Sequence, residues 1–307
     1  MMYETIIIGG GPAGVAAGIY AARKKIKSIL ITKDFGGQSI NSSGIENFIG
    51  FKKISGLEFS KLLEEHLKAQ DGIEIQEGVT VESIIKNKDF FEVKDSKGNI
   101  YESKTILYAA GSGYKKLNIP GEKEFEGKGV FYCTICDAPL LKNKPAAVIG
   151  GGNSGLESAI DLLPYASKIY ILDRNPALKG DPIYQERLKK ESKVEIILNS
   201  RPKEIIGDVM VKGLRYENII NQEEETLDVS GVFVAIGHKP NSDLVKDIVK
   251  LDEFGHIIVD PKTQKTSLEG FWAAGDVTDS LYPQINIAIG DGVRAILNIY
   301  DYLNKNK

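Results

Sequence analysis

Two stretches of the chain repeat one hydrophobic pattern. In the first, the apolar run 3–8 leads into Gly9-Gly10-Gly11-Pro12-Ala13-Gly14, an alanine-rich segment over 15–25 and a second apolar run at 28–31. In the second, residues 145–149 lead into Gly150-Gly151-Gly152-Asn153-Ser154-Gly155, a helical segment to about residue 163 and the run 169–172. Short unbroken apolar runs bounded by glycine predict parallel strands covered on both faces, and the segment between them a helix. Each stretch reads as a β-α-β unit with glycines at its first turn.

Elsewhere the pattern changes. Residues 57–70 carry Leu57, Leu62, Leu63 and Leu67 among charges, which predicts an amphipathic helix. From 73 to 110 the alternation is that of strands, with a hairpin turn at Asp95-Ser96-Lys97-Gly98 and a buried strand at 105–111. Further strands are expected at 194–197 and 231–237, and a hairpin with a solvated acidic turn around 221–225. An apolar strand at 271–276 ends in Gly-Asp, and a long terminal helix covers 284–303. Surface crossings at 114–118 and 240–246 divide the chain. The expected architecture is α/β, with two Rossmann-like, three-layer domains: 116–244 inserted into a discontinuous domain of 1–115 and 245–307.

Composition narrows the function classes. A chain of 307 residues can hold two domains with a core each. A formal charge of −3, from 42 acidic and 39 basic side chains, argues against nucleic acid or an anionic membrane as partner. Two cysteines cannot make a disulfide scaffold, so a reducing, cytoplasmic setting is expected. No apolar run reaches bilayer-spanning length, and no basic region precedes an apolar one at the N-terminus, so neither a span nor a leader is expected.

The glycine loops carry a specific chemistry. The first glycine permits the tight turn, the second lets backbone approach a pyrophosphate, and the third lets helix and strand pack closely. The helix N-terminus then turns its amides and the positive end of its dipole toward the phosphates. Asp173 ends the second strand of the later unit, close to the roughly 20-residue separation expected of a ribose-binding acid. In the earlier unit Thr32 and Lys33 stand at that place, leaving a ribose without its carboxylate.

Cys133 and Cys136 are the only cysteines, in Cys133-Thr134-Ile135-Cys136-Asp137. A zinc site is disfavoured, because His66, His238 and His256 are the only histidines and none has ligand spacing. A structural bridge three residues long would barely constrain the unfolded chain. A redox dithiol remains as the favoured reading. Asp137 reads either as a proton-transfer group for it or as a helix or turn cap.

The whole length resembles the low-molecular-weight thioredoxin reductases and the reductase portion of the alkyl hydroperoxide reductase flavoprotein, within the FAD-dependent pyridine nucleotide-disulfide oxidoreductases. The resemblance rests on residues 9–14, Gly36-Gly37-Gln38, the 133–137 motif, residues 150–155, Ala274-Gly275-Asp276 and Gln284. It implies that 1–115 and 245–307 bind FAD through Gly9, Gly11, Pro12, Ala13, Gly14, Thr32, Gly37, Gln38, Asn47, Val81, Ala110 and Gly111. Gly275 and Asp276 would lie near the ribityl chain, and Gln284 and Ile285 would aim the last helix's amides at the flavin. The inserted domain would bind a nicotinamide nucleotide through Gly152, Asn153, Ser154, Asp173 and Gly237. Cys136 would interact with flavin, Cys133 would attack the substrate disulfide, and Asp137 would shuttle the proton. A homodimer and a rotation of one domain against the other on the two crossings are implied as well.

The sequence departs from the family in two informative places. NADPH-linked members carry a His-Arg-Arg cluster where this chain has Asp173-Arg174-Asn175. A carboxylate there accepts from a free 2′-hydroxyl and repels a 2′-phosphate, so NADH is expected over NADPH. Ala138 also stands where glycine is common. Because the chain begins at its first nucleotide strand, the acceptor is expected to be a separate thioredoxin or thioredoxin-like protein, with a peroxiredoxin system downstream. Three alternatives stay open: ferredoxin as electron donor, a dithiol oxidase that uses oxygen, and a non-catalytic FAD-binding protein.

Overall fold

The computed structural model describes residues 2–41, 45 and 47–305, without the side chains of Asn41, Ile135 and Cys136. The chain forms two compact units, one of residues 1–113 and 239–307 and the other of residues 114–238. The changes of unit fall after Gly113 and His238.

The first unit opens with β1 (Met2–Gly10), α1 (Pro12–Arg23) and β2 (Ser28–Phe35). It continues through α2 (Gly56–Lys68), β3 (Ile73–Glu77), β4 (Val81–Lys86), β5 (Phe91–Asp95) and β6 (Ile100–Tyr108). The strand β7 (Ser112–Tyr114) then leads out of it. Ile6, Ile8, Ile29 and Ile31 pack on one face of the sheet, and Ile7 and Leu30 on the other. That is why β1 and β2 read as unbroken apolar runs rather than alternating ones.

The second unit contains β8 (Val130–Phe131), α3 (Thr134–Asp137), β9 (Pro145–Ile149), α4 (Asn153–Leu162) and β10 (Lys168–Leu172). There follow α5 (Pro182–Lys189), β11 (Val194–Ile197), β12 (Ser200–Gly207), β13 (Val211–Asn218), β14 (Glu224–Asp228) and β15 (Gly231–Val234). A parallel sheet runs β11-β10-β9-β15-β8, and β12-β13-β14 form a separate antiparallel sheet. The chain leaves through β16 (His238–Pro240), which pairs with β7, so the two crossing segments form one short ribbon.

Back in the first unit, β17 (Phe271–Ala273) joins β6 in parallel, and α6 (Ile285–Lys305) lies along α1. The main sheet has the order β3-β2-β1-β6-β5-β4, with β17 beside β6. A Cβ on Gly292 of α6 would overlap the Ala13 carbonyl, so glycine is what allows α6 to approach the first turn of α1. Trp272 is fully buried, and its indole N–H donates to Asn298 Oδ1 at 3.1 Å, pinning β17 to α6. Among the described residues, no helix is long and apolar enough to cross a membrane.

Candidate active site

Both glycine loops have the same build. Gly9 and Gly150 end or follow the first strand with φ of 115° and 124°, values that favour glycine. A Cβ on Gly14 would overlap the Gly9 carbonyl, and one on Gly155 the Gly150 carbonyl. The middle positions differ: Gly152 has nothing within 4 Å of an added Cβ, and Gly11 has only the Gly37 Cα at 3.8 Å. Gly11 and Gly152 are the N-caps of α1 and α4, and neither makes a side-chain capping bond. Each loop thus offers uncapped helix amides beneath an open glycine, which fits a pyrophosphate.

In the first unit most of the expected cofactor residues converge on this cradle. Gly37 lies against Gly11, with 3.3 Å from its Cβ position to the Gly11 Cα, and Gly275 lies against Ala13 at 3.2 Å. Gly9 packs on the Ala109 carbonyl, which brings Ala110 and Gly111 beside the loop. Gln38 Nε2 donates to the Ser112 carbonyl at 3.1 Å, and Asn241 Nδ2 to the Ala110 carbonyl at 2.8 Å. Asn47 Nδ2 donates to Gln284 Oε1 at 3.1 Å, and Asn286 Nδ2 to the Asn47 carbonyl at 2.9 Å, tying Asn47 to the start of α6 beside Ile285. Asp276 follows Gly275 in a half-buried position. Val81 begins β4, and the amide of Val79 just before it donates to the Thr32 carbonyl at 3.3 Å.

Thr32 and Asp173 occupy corresponding places with different chemistry. Thr32 Oγ1 donates to the Asp34 carbonyl at 2.6 Å, so the hydroxyl is turned onto its own chain. Asp173 instead accepts from the Gly151 amide at 2.5 Å through Oδ2, and from the Asn175 amide and Nδ2, both at 2.7 Å, through Oδ1. Asn153 and Ser154 are exposed in the first turn of α4. Gly237 closes β15 with φ of 93° and open space at its Cβ position, as Gly111 closes β6 with φ of 63°.

Cys133 is held in a disulfide, and Cys136 is the only other cysteine in the sequence; the side chain of Cys136 lies outside those described. Cys133 is the N-cap of α3, and its carbonyl accepts from the Asp137 amide at 3.1 Å. The Asp137 side chain makes no capping bond to the short helical turn that follows it. Burial pushes that carboxyl above the ordinary carboxylate range.

Sequence reasoning missed the surroundings of the cysteines. Tyr132 stacks on Tyr114 at 5.7 Å between centroids, and Tyr114 lies 4.9 Å from the His238 ring. The Tyr132 hydroxyl donates to Glu122 Oε1 at 2.8 Å, and this buried carboxylate also accepts from the Leu117 and Asn118 amides at 2.8 and 2.6 Å. No short motif signals such a column, because its members are distant in sequence. Asn175 was also missed as a partner of Asp173, although an amide side chain two residues after a strand-end acid is a turn signal.

Two open glycine cradles in separate α/β units, with a Cys-x-x-Cys pair in the second, are the layout of the two-nucleotide disulfide oxidoreductase class of fold. Comparison with known proteins agrees. The chain belongs to the pyridine nucleotide-disulphide oxidoreductase family, whose model matches residues 3–292. It is 42% identical over 304 residues to the F subunit of alkyl hydroperoxide reductase from Staphylococcus aureus, covering 99% of this chain and 60% of that protein. A Bacillus subtilis protein named NADH dehydrogenase is 42% identical over 304 residues, with 99% and 59% covered. The chain therefore spans about three fifths of the length of these curated relatives. The crystal structure of Lactococcus lactis thioredoxin reductase superposes with a TM-score of 0.86 at 34% identity and 99% coverage of both chains. The family uses FAD and a nicotinamide nucleotide, and the residues above fit both.

Proposed function

We propose that the protein is an NADH-dependent flavin disulfide reductase that passes electrons through Cys133 and Cys136 to a thioredoxin-like protein disulfide. The observation that carries this reading is the disulfide of Cys133 in the same unit as the open cradle at Gly152 and the acid Asp173. Residues 9–14, Gly37, Gln38, Asn47, Ala110, Gly275, Asp276 and the start of α6 would hold FAD. Bound there, FAD would supply a two-electron relay between the nicotinamide and the disulfide. Gly152, Asn153, Ser154 and Asp173 would hold the nicotinamide nucleotide, with Asp173 selecting a free ribose hydroxyl.

The chain's own chemistry then follows from thiol–disulfide exchange. The Cys133 thiolate attacks one sulfur of the partner's disulfide, whose S–S bond breaks and whose other sulfur leaves and takes a proton. Cys136 attacks the resulting mixed disulfide, restoring the Cys133 disulfide and freeing the second partner thiol. The partner gains two electrons and the cysteine pair loses two. Asp137, with its affinity for a proton raised by burial, supports the role of donor and acceptor for that proton.

The relative named NADH dehydrogenase supports the donor, and the thioredoxin reductase neighbour supports a protein disulfide as acceptor. The test is an anaerobic titration of the flavin band with NADH, NADPH and reduced ferredoxin. NADH is expected to bleach it at the lowest concentration; a higher kcat/KM for NADPH would sink the donor assignment. C133S and C136S are each expected to abolish reduction of a thioredoxin-like substrate.

A further inference from the structure

We propose that Asn175 is a specificity-determining positioning residue, which acts by fixing the carboxylate of Asp173 so that it has a single open acceptor position. The inference rests on the reading of Asp173 as the ribose-binding acid.

An ionised carboxylate offers about four acceptor positions. Here three are filled by the protein: two on Oδ1 by the Asn175 amide and Nδ2, both at 2.7 Å, and one on Oδ2 by the Gly151 amide at 2.5 Å. The fourth lies on Oδ2, the oxygen tied to the glycine loop. Asp173 thus presents one acceptor on the loop side, which suits one hydroxyl hydrogen. A 2′-phosphate dianion has no hydrogen to give and meets a like charge that cannot swing aside.

The rest of the segment is built to hold this arrangement. The Gly151 carbonyl accepts from the amides of Lys179 and Gly180, both at 2.9 Å, so Gly151 is held on both sides of its peptide. Asn153 Oδ1 accepts from the Asp181 amide at 2.7 Å, strapping residues 174–181 back onto the glycine loop. A Cβ on Gly151 would sit 2.6 Å from Asp173 Oδ2 and 2.7 Å from Leu178, so only glycine permits the contact. Within this fixed frame the Asn175 side chain is the one donor that orients Oδ1 and can be removed without touching backbone.

The test is equilibrium binding of NAD+ and NADP+ to the flavin-loaded protein, with steady-state kinetics alongside. N175A keeps the backbone donor and loses Nδ2. It is expected to weaken NAD+ about tenfold, the effect of one misdirected charge-assisted bond. NADP+ affinity is expected to stay unchanged, so discrimination narrows by that factor, with KM for NADH raised, kcat kept and thermal stability held. N175S restores a short donor and is expected to recover most of the discrimination. If the wild type binds NADP+ as tightly as NAD+, the donor reading itself falls. If the wild type favours NAD+ and N175A keeps the same ratio, the role of Asn175 alone falls. Equal losses in N175S and N175A would also overturn it, since the donor would then not be what matters.

Discussion

The ring of Tyr114 stacks on that of Tyr132, 28° from parallel, and Tyr132 is the residue immediately before Cys133. On its other side Tyr114 meets His238 at 4.9 Å. Tyr114 belongs to the segment by which the chain enters the second unit and His238 to the one by which it leaves, so one aromatic column joins both crossings to the cysteines. Such stacked pairs contribute about 0.5–1.5 kcal/mol beyond their burial. Tyr114→Ala removes two contacts at once and is expected to lower stability by about 2–3 kcal/mol in urea unfolding. Flavin reduction by NADH should stay near normal while turnover of a protein disulfide falls; loss of both steps together would contradict a role confined to the cysteine segment.

Tyr132→Phe isolates a different part of the same column. It keeps the stack and deletes the hydroxyl that donates to Glu122. The buried carboxylate retains the amides of Leu117 and Asn118, so the loss is one bond to a charged acceptor, about 1.5–3 kcal/mol. Chemical denaturation should show that drop with nucleotide affinity unchanged.

Asp137 sets a pH dependence. Burial raises its carboxyl above the ordinary value, so between that value and the raised one the folded chain binds more protons than the unfolded chain. Its contribution to stability is therefore complete below the ordinary carboxylate pKa and is lost as pH rises through the folded pKa. Asp137→Asn removes this loss. Relative to the wild type, the variant should become more stable as pH rises from about 4 toward neutrality. Its protein-disulfide turnover should fall across the range while anaerobic flavin reduction does not. A stability difference independent of pH would show that the carboxyl is not perturbed.

The two glycine loops separate packing from binding. Gly155→Ala forces a Cβ into the Gly150 carbonyl, whose own residue sits at φ of 124°, and Gly150 is backed by the Ala235 carbonyl. That variant should unfold at much lower denaturant, a loss on the order of 3 kcal/mol or more. Gly152→Ala meets nothing within 4 Å and should fold with an unchanged midpoint, yet bind NAD+ at least tenfold more weakly because its methyl occupies the phosphate approach. Gly14, packed on the Gly9 carbonyl, and Gly11, open at its Cβ position, would form the matching pair for the proposed FAD site. A stable Gly155→Ala protein with normal nucleotide binding would overturn the assignment of roles.

The contrast between these glycines also explains what was legible in the sequence. Strand, glycine loop and helix are local, and their apolar runs and turn residues declare themselves within thirty or so residues. The α1, α4 and α6 helices accordingly lie within a few residues of where the pattern puts them. The short helix α5 was missed because its eight residues carry one buried side chain, Leu188, and so show no periodic stripe. The ribbon of β7 with β16, the Glu122 cluster and the Tyr114 column all join residues far apart in sequence. Nothing in a linear pattern marks such contacts, since each partner alone is an ordinary tyrosine, glutamate or turn.

The start of α6 carries the last prediction. Asn286 Nδ2 donates to the Asn47 carbonyl at 2.9 Å, and Asn47 Nδ2 donates in turn to Gln284 Oε1 at 3.1 Å. These bonds fix the loop at Asn47 to the first turn of a 21-residue helix whose remaining length is anchored by Ala295, Ile296 and Ile299 in the core. Asn47 and Gln284 are exposed and Asn286 is half-buried, so the cost of removing one bond to global stability should stay within about 1 kcal/mol. Cofactor retention is the sensitive quantity, because a misplaced first turn weakens the dipole and amide interactions that favour negative charge there. Asn286→Ala should therefore release FAD severalfold faster in a dilution assay at an unchanged urea midpoint of the apoprotein. Asn286→Asp, which cannot donate, should behave like the alanine variant. Normal FAD retention in both would mean that the bracket of Asn47 and Gln284 serves only to hold the loop.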